Sequence, residues 1–227
     1  MPVGEVVQFL ERRVSAIAAS VEPANEFRSP AATMVQAGTA GQEVGEAMSA
    51  RFKELDYQQT PMGELTLRRR VEPTLGVDVY EVKLGEEFLM SSMFTVAEEA
   101  LSTLGLAAVT GDDLTVLVGG LGLGYTAVAA LADARIASLT VVDTLPAVID
   151  WHQRGLLPVS NALTSDPRTT LVLDDFFALM RRAPQPADPV YDAILVDIDH
   201  SPRFTLDPSH ADLYTVTGLR AVSAHLR

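Results

Sequence analysis

Apolar residues recur along this chain in two different periods. Val7, Leu10, Val14 and Ile17 fall at helical spacing and predict an amphipathic helix over residues 4–20. Residues 21–45 are rich in Ala, Gly, Ser, Thr and Pro without a period, which predicts a mobile connection. The first fifty residues thus read as a helix and its connection. Between 51 and 110 a small β section is expected. Glu64–Arg70 and Val77–Val82 alternate in part, with turns at Pro61-Met62-Gly63 and Leu75-Gly76, and a helix follows over Phe94–Leu106.

From Leu114 onward short apolar runs alternate with helical stretches. LTVLV (114–118), LTVVD (139–143), TTLVL (169–173) and YDAILVD (191–197) predict strands, and the stretches 125–131, 146–156, 176–182 and 207–226 predict helices. Apolar strands separated by helices predict an α/β domain over 111–227, its parallel sheet covered on both faces.

Composition narrows the function classes. The net charge of −13 in 227 residues argues against nucleic-acid binding, which needs a basic surface to neutralise phosphates. It is compatible with a cationic small-molecule partner and also with plain solubility. The absence of cysteine excludes disulfides and thiolate metal sites and fits a reducing cytoplasm. The N-terminal residues mix acids with apolar positions, so neither a signal peptide nor a membrane span is expected there.

The strongest local signal is Val118-Gly119-Gly120-Leu121-Gly122-Leu123-Gly124-Tyr125, a strand running through glycines into a helix. Glycines there permit a tight turn and let a ligand approach the backbone. A dinucleotide turn would place its third glycine where Tyr125 stands. The spacing at Gly120, Gly122 and Gly124 points instead to an adenosyl-sulfur ligand, which has no pyrophosphate. A turn without a ligand would use the same glycines.

Acids end each later strand. Asp143 is placed to accept ribose hydroxyls, or else to cap a helix. Asp174 and Asp175 follow the third strand, and Asp175 could accept from an adenine amino group or cap the next helix. Asp197, Asp199 and His200 follow the fourth strand, where open α/β sheets bind ligands. They suit acid–base work or a cationic substrate, and otherwise a polar loop. A metal is not expected, for want of a third clear ligand.

Together these residues resemble the spermidine synthase superfamily, a branch of the class I adenosylmethionine-dependent transferases, over about Asp56 to Arg227. The resemblance implies a Rossmann-like class I methyltransferase fold preceded by a small N-terminal β section. The family's G-G-G-D-G-G motif falls on Gly120–Tyr125, its ribose acid on Asp143, its adenine-contacting acid on Asp175 and its catalytic acid on Asp197. Leu123 replaces the motif's acid, and His200 the second aspartate of D-S-T-D, with Asp199 one place earlier. The D-E-x-x-Y-H-E segment appears as Met93 to Glu99 and keeps only its last glutamate.

The resemblance implies S-adenosylmethionine, decarboxylated S-adenosylmethionine or methylthioadenosine as ligand. Because polyamine-holding groups are replaced, methyl transfer to a small molecule is expected first, with Asp197 or His200 as base. Aminopropyl transfer, with Asp199, Glu98 and Glu99 holding an amine, comes second, and a nucleoside-binding scaffold third. Relatives continue with L-x-P-G-G and further strands. The edge at 191–197 is therefore expected to be completed by missing C-terminal strands or by a homodimer.

Overall fold

A computed structural model describes residues 52–227. The helix expected over 4–20 and the connection after it lie outside the described residues.

The first described sheet is antiparallel, in the order β1 (Phe52–Thr60), β2 (Gly63–Val71), β3 (Asp78–Leu84), β4 (Glu87–Ser91). Its inner face carries Leu65, Leu67 and Val82, all buried. In β1 the register slips between Glu54 and Asp56, leaving Leu55 as an extra residue. Such a bulge re-aims side chains. Leu55 packs on the core, and Asp56 accepts from the indole N–H of buried Trp151 at 2.6 Å and from Gln58 at 2.9 Å. Burial pushes the Asp56 carboxyl up, but the donors Trp151 and Gln58, with Arg154 nearby, outweigh it and hold it below the ordinary value.

Helix α1 (Val96–Ala107) leads to the second sheet. There the strands β5 (Leu114–Gly119), β6 (Ile136–Asp143), β7 (Thr169–Leu173) and β8 (Ala193–Val196) are parallel, in the order β7-β6-β5-β8. The crossovers contain α2 (Tyr125–Leu131), α3 (Pro146–Gln153), α4 (Ser160–Thr164) and α5 (Phe176–Arg181). A 3-10 turn at Pro208–Asp212 and α6 (Val216–Ser223) follow β8. Alternate residues of β5 explain the layers. Val116 and Val118 face the core that also holds Trp151 and Leu163, while Leu117 faces Phe176, Phe177, Met180 and Leu213 on the opposite side. Each such side chain removed from water contributes about 1.5–3 kcal/mol.

Two Asp-x-Arg units repeat one device. Arg135 pairs with Asp133 and donates to the carbonyls of Leu106 and Val109, closing the end of α1. Arg168 pairs with Asp166 and donates to the carbonyl of Leu131, closing α2. Each stands just before a parallel strand and satisfies helix-end carbonyls that have no partner within the helix. The Arg168 guanidinium holds the Asp166 carboxyl down at about 2.

The sequence-predicted helix over 207–226 divides in two. Asp207 caps the 3-10 turn through the amide of Ser209, and Thr215 caps α6 through the amide of Gly218. Beside β8, Tyr191 forms a parallel bridge with Leu226, its amide donating to the carbonyl of His225.

Candidate active site

β6 and β7 lie on one side of β5 and β8 lies on the other. The crossovers therefore diverge at the carboxyl ends of β5 and β8, the place where open α/β sheets form a ligand crevice. The glycine turn leaves β5 there. Gly120 has φ +95°, and a Cβ on it would lie 2.0 Å from the carbonyl oxygen of Asp197. That glycine is required by the backbone at the end of β8. Gly122, at φ +47°, would press a Cβ to 2.9 Å from the sulfur of Met90 on β4, so the antiparallel sheet leans onto the turn. Gly124 precedes α2 and packs against Leu163, His152 and Val159.

The turn is satisfied from within. Asp143 accepts from the amides of Leu121 at 2.9 Å and Gly122 at 3.4 Å, and through its other oxygen from Leu145 at 2.8 Å. Burial raises its carboxyl, while those amides pull the other way. The amides of Gly120 and Gly124 donate to the carbonyls of Val142 and Leu121. His152, fully buried, bonds the carbonyl of Gly122 through Nε2 at 3.0 Å. That contact requires the Nε2–H tautomer, and burial lowers the ring's pKa, so the ring is a neutral donor. No sequence motif marked His152. The amides of Gly120, Leu121, Gly122 and Gly124 are thus engaged within the protein.

Asp175 caps α5 by accepting from the amide of Ala178 at 3.0 Å. It is exposed, and its second oxygen takes no hydrogen bond among the described residues. The capping alternative is thus what the backbone uses, and one oxygen is left for an outside donor.

The three groups after β8 part company. Asp199 has no exposed side-chain surface. It accepts from the amide of Leu206 at 2.7 Å, from His210 Nδ1 at 2.9 Å and from the hydroxyl of Tyr214 at 2.9 Å. Burial and this bond push the Tyr214 hydroxyl well up. His210 stacks on Phe177 with ring centres 3.7 Å apart. Asp199 therefore anchors the segment that folds back over β8, which sets it apart from the acid–base role expected of it. His200 is exposed and stands 3.6 Å from Glu87, with no orienting partner closer than that among the described residues.

Asp197 faces the crevice. Its Oδ2 accepts a short hydrogen bond from the Thr126 hydroxyl on the first turn of α2. Its Oδ1 takes no hydrogen bond among the described residues, and the side chain is half-buried. Beside it is Glu98 on α1, whose Oε2 is buried without a partner among the described residues. Burial raises both carboxyls. The Asp197 charge raises Glu98 further, and the Thr126 hydroxyl pulls Asp197 back down. Glu98 was expected to matter for holding an amine, but nothing in the sequence pointed to Thr126. No group of three or more His, Asp or Glu side chains converges to hold a metal among the described residues.

Two solved structures share this architecture. One is a spermidine synthase in complex with the transition-state analogue AdoDATO, with TM-score 0.59 and 17% identity, covering 77% of this chain and 55% of that chain. The other is spermidine synthase from Thermotoga maritima, with TM-score 0.59 and 18% identity, covering 77% and 54%. The chain has a spermidine synthase-like fold. It spans about half the length of those two structures. No protein-family model and no curated protein matches it. In this spermidine synthase-like fold Leu123, which stands where the family motif carries an acid, is buried in the core. No helix among the described residues is long and apolar enough to cross a membrane.

Proposed function

We propose that the chain is a transferase that uses an adenosyl-sulfonium donor, S-adenosylmethionine or a relative, and alkylates a small nucleophile. The observation that carries this reading is the pair of buried carboxyls at the switch point. Among the described residues, Asp197 has one oxygen that takes no hydrogen bond and Glu98 has a buried oxygen with no donor. Buried carboxyl oxygens without partners are costly unless something positive or protic faces them. A sulfonium centre and a protonated amine both meet that need. The glycine spacing, with Tyr125 where a dinucleotide turn has its third glycine, weighs against a dinucleotide.

Asp175 and the turn through Gly120, Gly122 and Gly124, held in shape by Asp143, would bind the nucleoside. The donor supplies a carbon on positively charged sulfur, whose bond to sulfur breaks as the bond to the nucleophile forms. Asp197 would orient the nucleophile and take its proton. Thr126 fixes the carboxylate that does so. The segment anchored by Asp199 and the strand carrying Met90 would limit water access.

Methyl transfer is the first reading. Asp199 is fully engaged, and Leu123 is committed to the core, so two places where a polyamine could be held are not available. Aminopropyl transfer is the second, favoured by the likeness to a spermidine synthase that binds AdoDATO, a ligand related to decarboxylated S-adenosylmethionine. Calorimetry with S-adenosylmethionine, its decarboxylated form, methylthioadenosine and NAD tests the site. Tighter binding of NAD than of every adenosyl-sulfur ligand would overturn the proposal. Mass spectrometry of amine mixtures incubated with each donor separates methyl from aminopropyl products, and putrescine is expected to be a poor acceptor.

A further inference from the structure

The Thr126 hydroxyl has one proton and two acceptors within reach. It lies against Asp197 Oδ2 and 3.4 Å from the main-chain carbonyl of Glu98. Thr126 is 2% exposed, so no bulk water competes for these contacts. Its Cβ is held on the first turn of α2, immediately after Tyr125. α1 is bound to the same stretch by Ser102, which donates to the carbonyl of Thr126 at 2.6 Å. The hydroxyl is therefore fixed in place but free to rotate about its C–O bond.

A hydroxyl can donate and accept at once. When Asp197 is a carboxylate, Thr126 donates to it. When Asp197 is a neutral acid, the same geometry reverses. Asp197 Oδ2–H donates to Thr126 Oγ1, and the Thr126 proton turns to the Glu98 carbonyl. No bond to hydrogen breaks in that reversal; only the hydroxyl rotates.

We infer that Thr126 is a positioning residue for Asp197, a hydroxyl rotor that holds the carboxyl in one orientation in both of its protonation states and favours the ionised one. The inference rests on the reading of Asp197 as the group that takes the proton. A carboxyl that must gain and lose a proton each turnover needs a partner that fits both forms. A valine of the same shape fits neither.

The titratable groups nearest the pair are acids and tyrosines, none of them a cation. Glu98 and Glu99 lie on α1, Tyr125 on α2, and Asp199 and Tyr214 on the segment after β8, and each carries or would carry negative charge. Among the described residues no cation offsets them at Asp197, where burial raises the carboxyl and the Thr126 bond is the influence that lowers it.

The test is carbon-detected NMR titration of the Asp197 carboxyl in the full chain, which needs no substrate or turnover. Thr126→Val should move the midpoint to higher pH, and Thr126→Ser should restore it, while calorimetry finds methylthioadenosine binding unchanged by either. If valine prevents folding, Thr126→Ala removes the same hydroxyl with a smaller group and the same shift is expected. An Asp197 midpoint unmoved by loss of the hydroxyl would overturn the inference, as would a serine variant that titrates like valine. Failure of methylthioadenosine to bind wild-type protein would instead sink the adenosyl reading and leave the Thr126 result standing.

Discussion

The glycine turn after β5 and the segment after β8 face one another across the same crevice, yet they treat their acids in opposite ways. In the turn, Asp143 receives backbone amides on both oxygens and His152 ties down the carbonyl of Gly122. After β8, Asp199 is equally saturated, but among the described residues Asp197, two residues earlier, has one oxygen without a hydrogen bond, and its neighbour Glu98 has one buried oxygen unpaired. A buried carboxylate with full hydrogen bonding shapes backbone, whereas one left short of donors is stored at a cost and marks the place where a ligand or proton is expected. The same residue type thus serves scaffold or chemistry according to its donors.

That contrast can be broken most directly at Asp197. Asp197→Asn is expected to lower turnover by about 10²–10⁴-fold, the usual worth of a positioned acid–base group, while adenosyl-ligand binding stays near wild type. Full activity in that variant, measured with whichever donor the calorimetry selects, would place the chemistry elsewhere and return attention to His200. Asp199→Ala should do the reverse. It strands the amide of Leu206, His210 and the Tyr214 hydroxyl, and a loss of about 3 kcal/mol or more in stability is expected. Urea unfolding reads this, and a change below about 0.5 kcal/mol would show that Asp199 is no anchor. Asp143→Ala comes third. It frees the amides of Leu121, Gly122 and Leu145, and should weaken adenosyl-ligand binding by about 1–3 kcal/mol. An unaltered affinity by calorimetry would mean that the turn keeps its shape without the carboxylate.

The parallel domain was readable because its signals are local. TTLVL and the helix from Tyr125 to Leu131 fall where periodicity put them, and the glycines and strand-end acids lie at the carboxyl ends of the parallel strands. β1 escaped notice because Phe52–Thr60 is an edge strand with polar residues on both faces and a bulge at Leu55 that breaks any alternation. β4 spans only Glu87–Ser91, too short for a period to show. At the site, sequence brought forward Asp197, Asp199 and His200 as one group, since they are near neighbours in the chain. Their separation depends on partners far along it, Thr126 for Asp197 and His210 and Tyr214 for Asp199. The Asp-x-Arg units before β6 and β7 were visible as Asp133-Ala134-Arg135 and Asp166-Pro167-Arg168, but their meaning needs the helix ends that the arginines reach.

The smallest expected effect is the sharpest test of the idea that unpaired carboxyls are stored at a cost. Glu98→Gln keeps the shape of the neutral acid and removes the ionisation. Burial first, and then the charges of Asp197 and Glu99, raise the folded-state value of Glu98 above the ordinary one. A raised carboxyl contributes its stability fully below its unfolded value and loses it as pH climbs through the folded value. Within that window the wild-type protein keeps a proton that the unfolded chain has released, and above it holds a buried anion. Glutamine does neither. The variant should therefore melt higher than wild type at pH 7–8, by about 2–4 °C if the difference is about 1 kcal/mol, and the gain should fade as the pH is lowered toward the ordinary glutamate value. Thermal melts across that range, recorded without ligand, decide it. A glutamine variant less stable at neutral pH, or a gain that persists unchanged in acid, would mean that Glu98 finds a donor and that its buried oxygen is not the unmet group on which the contrast with Asp199 depends.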